Sequence, residues 1–125
     1  MKKIICTSNA PKAVGPYSQA VEVNGMLFVS GQVPINPVTG TLVEGGVAEQ
    51  THQVLQNIKS ILQEAGLTFD NVVKTTCLLS TMESFAVMNG VYAEYFVNHK
   101  PARATFSVAG LPLGAMVEIE AIAVR

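Results

Sequence analysis

The chain has 125 residues, and only 14% of them are charged, whereas an average soluble domain has about 25%. A formal net charge of −1 excludes a protein that gathers nucleic acid or anionic membranes through a general basic field. The length predicts one domain over residues 1–125. The shortage of charge predicts apolar surface that other copies of the chain cover.

The distribution of polar residues predicts neither a signal peptide nor a membrane span. After Lys2 and Lys3, polar residues return at Thr7, too early for the apolar region of a signal peptide. The uncharged stretch 23–43 is interrupted by Pro34 and Pro37, which argues against a membrane span. Cys6 and Cys77 are far apart and match no metal-ligand spacing, so we expect free thiols in a reducing cytoplasm.

A strand and a hairpin are predicted in the first part of the chain. The short strand is expected at Lys3–Thr7. Two strands at Gln19–Val23 and Met26–Ser30 flank Asn24-Gly25, a dipeptide typical of a two-residue hairpin turn.

Two helices are predicted in the middle of the chain, with a strand between them. The first is expected at Val47–Ala65, where apolar residues recur every three or four positions until Gly66 ends the pattern. The strand at Val72–Ser80 is apolar and β-branched. The second helix is expected at Met82–Asn98, with Thr81 and Ser84 as capping residues at its start.

Two more strands are predicted at Ala104–Val108 and Ala115–Val124, joined into a hairpin by a turn around residues 111–114. This order of elements suits an α+β fold, a mixed β-sheet with two helices packed on one face. Both faces of the last strand are largely apolar, although one carries Glu118 and Glu120. Both faces are therefore expected to be partly buried, the one without helices against another subunit.

Arg103 is the main candidate for a binding residue, since the only other arginine is Arg125. Strand periodicity predicts Arg103 and Thr105 on one side, with Ala104, Phe106 and Val108 facing the helix-covered core. The expected hairpin would then place Arg103 and Thr105 on the same face as Glu118 and Glu120. An arginine can hold a carboxylate and a nearby glutamate can activate water. The alternative interpretation is a cross-strand ion pair without a substrate.

The other polar candidates are weaker. Tyr17 precedes a strand and Ser30-Gly31 ends one, as ordinary turn residues also do. His52 and His99 have no metal-ligand spacing, so no metal site is predicted. The glycines match neither a phosphate-binding loop nor a dinucleotide fingerprint.

A family resemblance is carried by segments spread over nearly the whole chain. These segments are Asn9-Ala10-Pro11, Gly15-Pro16-Tyr17-Ser18-Gln19-Ala20, Ser30-Gly31-Gln32-Val33-Pro34, Glu49-Gln50-Thr51, Val73-Lys74-Thr75-Thr76, Lys100-Pro101-Ala102-Arg103 and Val117–Arg125. In these residues the chain resembles the Rid/YjgF family of reactive-intermediate (enamine/imine) deaminases. The Pro-Ala-Arg segment and the Glu-Ile-Glu block are the signature region of that family.

The resemblance implies a chorismate-mutase-like α+β fold that assembles as a homotrimer through the helix-free face, with sites between subunits. The implied reaction is hydrolysis of 2-aminoacrylate, 2-iminopropanoate and related 2-imino acids to 2-keto acids and ammonia. No metal or other cofactor is implied.

Residue roles are also implied by position in the family's motifs. Arg103 would hold the substrate carboxylate, and Glu118 would orient the attacking water or move its proton. The implied substrate-binding residues are Tyr17, Ser30, Gly31, Asn89 and Thr105. The chain has Ala104-Thr105 where many members have Ser-Cys, so no thiol can act at that position.

Two rival functions are considered beside the deaminase. One is a regulatory protein of amino-acid or purine metabolism that binds a small 2-keto acid without turnover, since a carboxylate clamp serves both roles. The other follows older family labels, endoribonuclease and translation inhibitor. It is disfavoured because the chain has 8 basic residues against 9 acidic ones and no Trp, so it lacks a charged footprint and a stacking surface for RNA.

Overall fold

A computed structural model describes residues 1–125 of the chain. It contains one six-stranded sheet in the order β1-β2-β3-β6-β4-β5 and two α-helices. The strands are β1 Lys3–Ile5, β2 Ala20–Val23, β3 Met26–Gln32, β4 Val72–Leu79, β5 Ala102–Ser107 and β6 Val117–Val124. The helices are α1 Val47–Glu64 and α2 Phe85–Tyr95. The expected α+β architecture is confirmed.

The hairpin of β2 and β3 is confirmed around Asn24-Gly25. Both turn residues adopt positive φ, 51° at Asn24 and 75° at Gly25. This pair of left-handed residues matches the right-handed twist of the two strands. The hairpin fixes the direction of β3, whose far end carries Ser30 and Gly31.

The predicted hairpin of β5 and β6 is wrong. β5 pairs with β4 in parallel, whereas β6 lies between β3 and β4 and is antiparallel to both. One reason is that α2 connects β4 to β5, and such a strand–helix–strand crossover places the two strands side by side. The other reason is burial. Every second residue of β6 is buried, whereas β5 has no buried residue. β6 therefore occupies the centre of the sheet and β5 its edge.

Both helices pack on the same face of the sheet. The apolar stripe of α1 is completely buried there, through Val54, Leu55, Ile58, Ile61 and Leu62. This helix ends as expected, since Gly66 follows with φ of 75°. The second helix is shorter than predicted, because Met82–Ser84 forms a 3₁₀ turn and Phe96 leaves helical geometry. Thr81 caps this 3₁₀ turn, since its hydroxyl accepts from the Glu83 N–H at 3.3 Å, whereas Ser84 at the start of α2 makes no side-chain capping bond.

The opposite face of the sheet is not covered by any element of the chain and is partly apolar. Its large exposed side chains include Ile4, Met26, Phe28 and Phe106, of which Phe106 is 48% exposed. We call this surface the open face. No helix of the chain has the length and apolar composition to cross a membrane.

Candidate functional site

Arg103 lies on the helix-covered face of the sheet, beside the first turns of α2. It pairs in register with Thr75 of β4, a buried residue on that face. Its Nη1 donates to Oδ1 of Asn89 at 2.8 Å. Its guanidinium carbon lies 4.8 Å from the ring centroid of Tyr92 and 5.6 Å from that of Phe85. We call Arg103, Asn89 and these two rings the arginine half-site.

A cleft of about 550 Å³ opens beside the arginine half-site. Its lining residues are Asn89, Tyr92, Ala93, Phe96, Val97, Lys100, Pro101 and Arg103. Half of them are apolar, so the cleft offers an apolar wall next to a cation. Such a site can hold a small organic anion by its charged end.

The expectation that Arg103 and Thr105 share a face with Glu118 and Glu120 is wrong within one chain. β4 lies between the two strands, and its Thr75 pairs with both Arg103 and Ala121. Residues that pair across a sheet point to the same face, so Glu118 and Glu120 point to the other one. For the same reason Ala104 and Phe106 lie on the open face, and the expectation that they join the helix-covered core is also wrong.

The cross-strand ion pair considered as an alternative is absent. Arg103 makes its hydrogen bond to the Asn89 amide. The only ion pair in the chain joins Arg125 to Glu22, with Nη2 and Oε1 2.7 Å apart. Arg103 therefore keeps its remaining N–H groups free for a ligand.

Glu118 lies on the open face, directly over Gly31 of β3. A Cβ added at Gly31 would overlap the Glu118 carboxylate, so the absence of a side chain there gives the carboxylate its place. Ser30 is fixed next to it, since its hydroxyl donates to the Ser18 carbonyl at 2.6 Å. Tyr17 is 52% exposed at the same cleft. We call Glu118 and these neighbours, together with Glu120, the glutamate half-site.

The glutamate half-site also borders a cleft, of about 620 Å³. This cleft and the one beside Arg103 have no lining residue in common. No hydrogen bond or ion pair holds the Glu118 carboxylate. Burial raises its pKa above the usual range, and the negative charge of Glu120 raises that pKa further. A carboxyl group in this state is suited to exchange a proton with a bound molecule.

The predicted site residues therefore separate into two groups. Arg103 and Asn89 meet on the helix-covered face, while Tyr17, Ser30, Gly31 and Glu118 meet on the open face. Thr105 pairs with Cys77 on the helix-covered face, and its hydroxyl is buried without a hydrogen-bond partner. β5 is the last strand in the sheet, so the backbone groups on its outer edge pair with no other strand.

Tyr92, whose ring lies against the Arg103 guanidinium, was not among the site residues predicted from the sequence. The only sequence feature that pointed to Tyr92 is its position three residues after Asn89, which places both side chains on the same side of a helix. The same position also fits the apolar stripe of α2. The two histidines are engaged elsewhere. His52 Nδ1 lies 2.9 Å from the Tyr95 hydroxyl, and His99 Nε2 donates to the Val72 carbonyl at 2.8 Å. No group of three His, Cys, Asp or Glu side chains lies close enough to hold a metal ion.

Known proteins resemble the chain over its full length. Residues 7–125 match the family described as Endoribonuclease L-PSP. A 2-iminobutanoate/2-iminopropanoate deaminase of Mus musculus is 52% identical over 125 residues, covering 100% of this chain and 93% of the mouse protein. A RutC family protein of Pyrococcus horikoshii is also 52% identical, with 100% and 99% covered. The crystal structure of the Rid family protein YyfA of Yersinia pestis superimposes with a TM-score of 0.98 at 51% identity, covering 100% of both chains.

Proposed function

The chain belongs to the family described as Endoribonuclease L-PSP, the YjgF/Rid family, and on this basis we propose that it is an enamine/imine deaminase. Its proposed substrates are 2-aminoacrylate, 2-iminopropanoate and related 2-imino acids, and its products are 2-keto acids and ammonia. Pyridoxal-phosphate-dependent dehydratases release such imines, so the proposed setting is amino-acid metabolism in the cytoplasm. The name of the mouse relative, a 2-iminobutanoate/2-iminopropanoate deaminase, supports this reaction.

The observation that carries the proposal is that the two groups required for imine hydrolysis, a carboxylate-binding cation and an acid–base group, lie on opposite faces of the sheet. Arg103 offers a carboxylate-binding cation without a catalytic acid or base, and Glu118 offers a titratable carboxyl without a cation. A complete site therefore requires the arginine half-site of one subunit and the glutamate half-site of the next. We propose a homotrimer in which the open face makes this contact. Its exposed apolar side chains and the low charge of the chain support an interface there.

In the proposed mechanism, Arg103 binds the carboxylate of the imino acid. One N–H group of Arg103 donates to Asn89. This hydrogen bond orients the guanidinium so that its other N–H groups can donate to the substrate carboxylate. The backbone N–H at the free edge of β5 near Thr105 completes the anchor. Once the carboxylate is bound, the imine carbon lies next to the water at Glu118 of the neighbouring subunit. This positioning of the two reactants accounts for much of the rate acceleration.

Glu118 acts on the water in its carboxylate form. It accepts a proton from the water as the oxygen bonds to the imine carbon, and it passes this proton to the imine nitrogen as the C=N double bond becomes single. In the resulting carbinolamine the hydroxyl proton moves through Glu118 to the amino group, the C–N bond breaks, and ammonia leaves as the C=O bond of the 2-keto acid forms. Gly31 leaves room for Glu118, while Ser30 and Tyr17 line the cleft beside the reacting carbon. These steps need no further cofactor for balance.

Cleavage of RNA is not the function that the chain supports. Its net charge of −1 gives no phosphate-binding field. His52 and His99 are bonded to separate parts of the fold, so they do not form an acid–base pair. The chain therefore offers no site for the ribonuclease activity that the family description names.

A coupled assay tests the proposed activity. A pyridoxal-phosphate-dependent dehydratase generates 2-aminoacrylate from serine, and pyruvate formation is followed with and without the protein. We expect acceleration by the wild type and a loss of at least about a hundredfold in Arg103→Ala, because a charged hydrogen-bonding partner is removed. Size-exclusion chromatography should show an unchanged assembly for Arg103→Ala.

Two outcomes would contradict the proposal. If the wild type binds 2-oxobutanoate but does not accelerate pyruvate formation, the chain is a 2-keto acid-binding regulatory protein. If Arg103→Ala dissociates to monomers, Arg103 holds subunits together and its role as a substrate anchor is not supported.

A further inference from the structure

The ring of Tyr92 forms the floor on which the Arg103 guanidinium lies. The guanidinium carbon is 4.8 Å from its centroid, a distance at which a cation is attracted to the face of an aromatic ring. Tyr92 is only 7% exposed, whereas Arg103 is exposed. A buried, rigid ring thus lies beneath a long and otherwise mobile side chain.

Tyr92 is itself fixed from two directions. Its hydroxyl and that of Thr75 lie 2.7 Å apart in a buried hydrogen bond. Its ring also lies 4.5 Å from that of Phe96, centroid to centroid. Thr75 is 1% exposed and lies on the helix-covered face of β4, the strand next to β5. The ring therefore cannot tilt without breaking a buried hydrogen bond.

Thr75 and Arg103 are also register partners on β4 and β5. The three residues form a closed triangle: a strand pairing joins Thr75 to Arg103, a hydrogen bond joins Thr75 to Tyr92, and the ring contact joins Tyr92 to Arg103. Each contact limits the freedom of the other two. The hydrogen bond to Asn89 alone would fix one nitrogen of Arg103 and leave the plane of the guanidinium free to turn.

We propose that Tyr92, held by Thr75, is a positioning residue that sets the plane of the Arg103 guanidinium for carboxylate binding. The inference rests on the proposed function, in which Arg103 anchors the substrate. Burial raises the pKa of Tyr92, so the phenol stays neutral at ordinary pH. The ring then acts through its face and not as a phenolate.

The effect of Tyr92 is expected on binding more than on chemistry. Arg103 anchors the carboxylate, while the reacting carbon meets the glutamate half-site of another subunit. Loss of the ring should therefore raise KM and the Kd of any 2-keto acid together, with little change in kcat. A residue that merely stabilised the fold would change neither constant in the folded protein.

The orientation of Arg103 can be measured directly by NMR, because the chain has only two arginines. In the ¹⁵N–¹H spectrum of the wild type, we expect the Nε–H signal of Arg103 to be shifted upfield by the ring current of Tyr92. Arg125, whose Nε donates to Glu22 at 3.1 Å, supplies the reference signal. An Arg103 signal at the random-coil position would overturn the proposal without any variant.

Two substitutions then separate the ring from the hydroxyl. Tyr92→Leu removes the ring, and we expect a rise of about tenfold in the Kd of 2-oxobutanoate and in KM, with kcat within about twofold. Tyr92→Phe keeps the ring and should restore Kd to within about threefold of the wild type, although it loses the bond to Thr75 and unfolds at a lower temperature. Titration calorimetry and the coupled assay measure these constants.

A matched control is Leu27→Ala in β3. Leu27 is completely buried, and strands β6 and β4 separate β3 from β5, which carries Arg103, so this substitution lowers thermal stability at a distance from the Tyr92 ring. The proposal is overturned if Tyr92→Leu binds 2-oxobutanoate as the wild type does, or if Leu27→Ala weakens binding equally. If the wild type neither binds 2-oxobutanoate nor accelerates imine hydrolysis, the proposed function fails and this inference fails with it.

Discussion

The arginine half-site and the glutamate half-site hold their charged groups by different means. Arg103 is exposed, yet it is restricted by the hydrogen bond that it donates to the Asn89 side chain and by the rings of Tyr92 and Phe85. Glu118 is half-buried, yet no hydrogen bond restrains its carboxylate. The cation is therefore fixed in direction, while the carboxyl group remains free to take up and release a proton.

This difference matches the two tasks that the proposed mechanism gives to Arg103 and Glu118. An anchor loses efficiency when it turns, because each orientation that misses the carboxylate weakens binding. A proton-transferring group instead needs a pKa closer to the working pH, which burial and the neighbouring Glu120 provide here. Strong hydrogen bonds to Glu118 would lower that pKa and oppose this task.

The largest expected effect comes from separating the two half-sites onto different chains. Arg103→Ala and Glu118→Gln should each be nearly inactive alone. When the two variants are co-expressed at equal levels, we expect about one quarter of the wild-type activity, because half of the arginine sides and half of the glutamate sides are intact. The coupled pyruvate assay measures this recovery.

The control for this experiment is a mixture of the two variants purified separately and combined without subunit exchange, which should stay inactive. An inactive co-expressed protein of normal assembly size would show that both half-sites must come from one chain. That result would contradict the proposed site between subunits.

A smaller effect is expected from Gly31→Ala. The added methyl group would overlap the Glu118 carboxylate and displace it, so kcat should fall about tenfold to a hundredfold while the Kd of 2-oxobutanoate changes little. Gly110→Ala is the matched control, since a Cβ at Gly110 meets no atom within 4 Å. An unchanged kcat in Gly31→Ala would argue against a role for Glu118 in the chemical step.

The smallest effect is expected from Glu120→Gln, which tests how the pKa of Glu118 is set. The Glu120 charge raises that pKa, so its removal should lower it. In the proposed mechanism the carboxylate form of Glu118 is the active one, so activity should fall as pH drops through this pKa, and the acidic limb of the pH profile should move to lower pH. A shift of that limb to higher pH would contradict the assignment.

The local features of the fold could be predicted from the sequence. Asn24-Gly25 favours positive φ at two successive residues, and the hairpin forms there. The apolar spacing of α1 and the alternation along β6 likewise predicted which side chains are buried. Each of these signals depends on neighbours close in sequence.

The relation between Arg103 and Glu118 could not be predicted in the same way. Their faces depend on which strand lies beside β5, and a short connection to β6 favoured a hairpin. The crossover through α2 instead brings β5 beside β4, which reverses the predicted face of Arg103. Tyr92 was missed because an aromatic residue on an apolar helical stripe is indistinguishable from core until its neighbours are known.

The central position of β6 has a consequence for how the chain is made. β6 leaves the ribosome after the other five strands, so until then β3 and β4 each have an edge without its partner. Unpaired edges next to apolar faces are prone to join other chains. The gap between β3 and β4 therefore stays open until residues 117–124 have left the ribosome and β6 has inserted between the two strands.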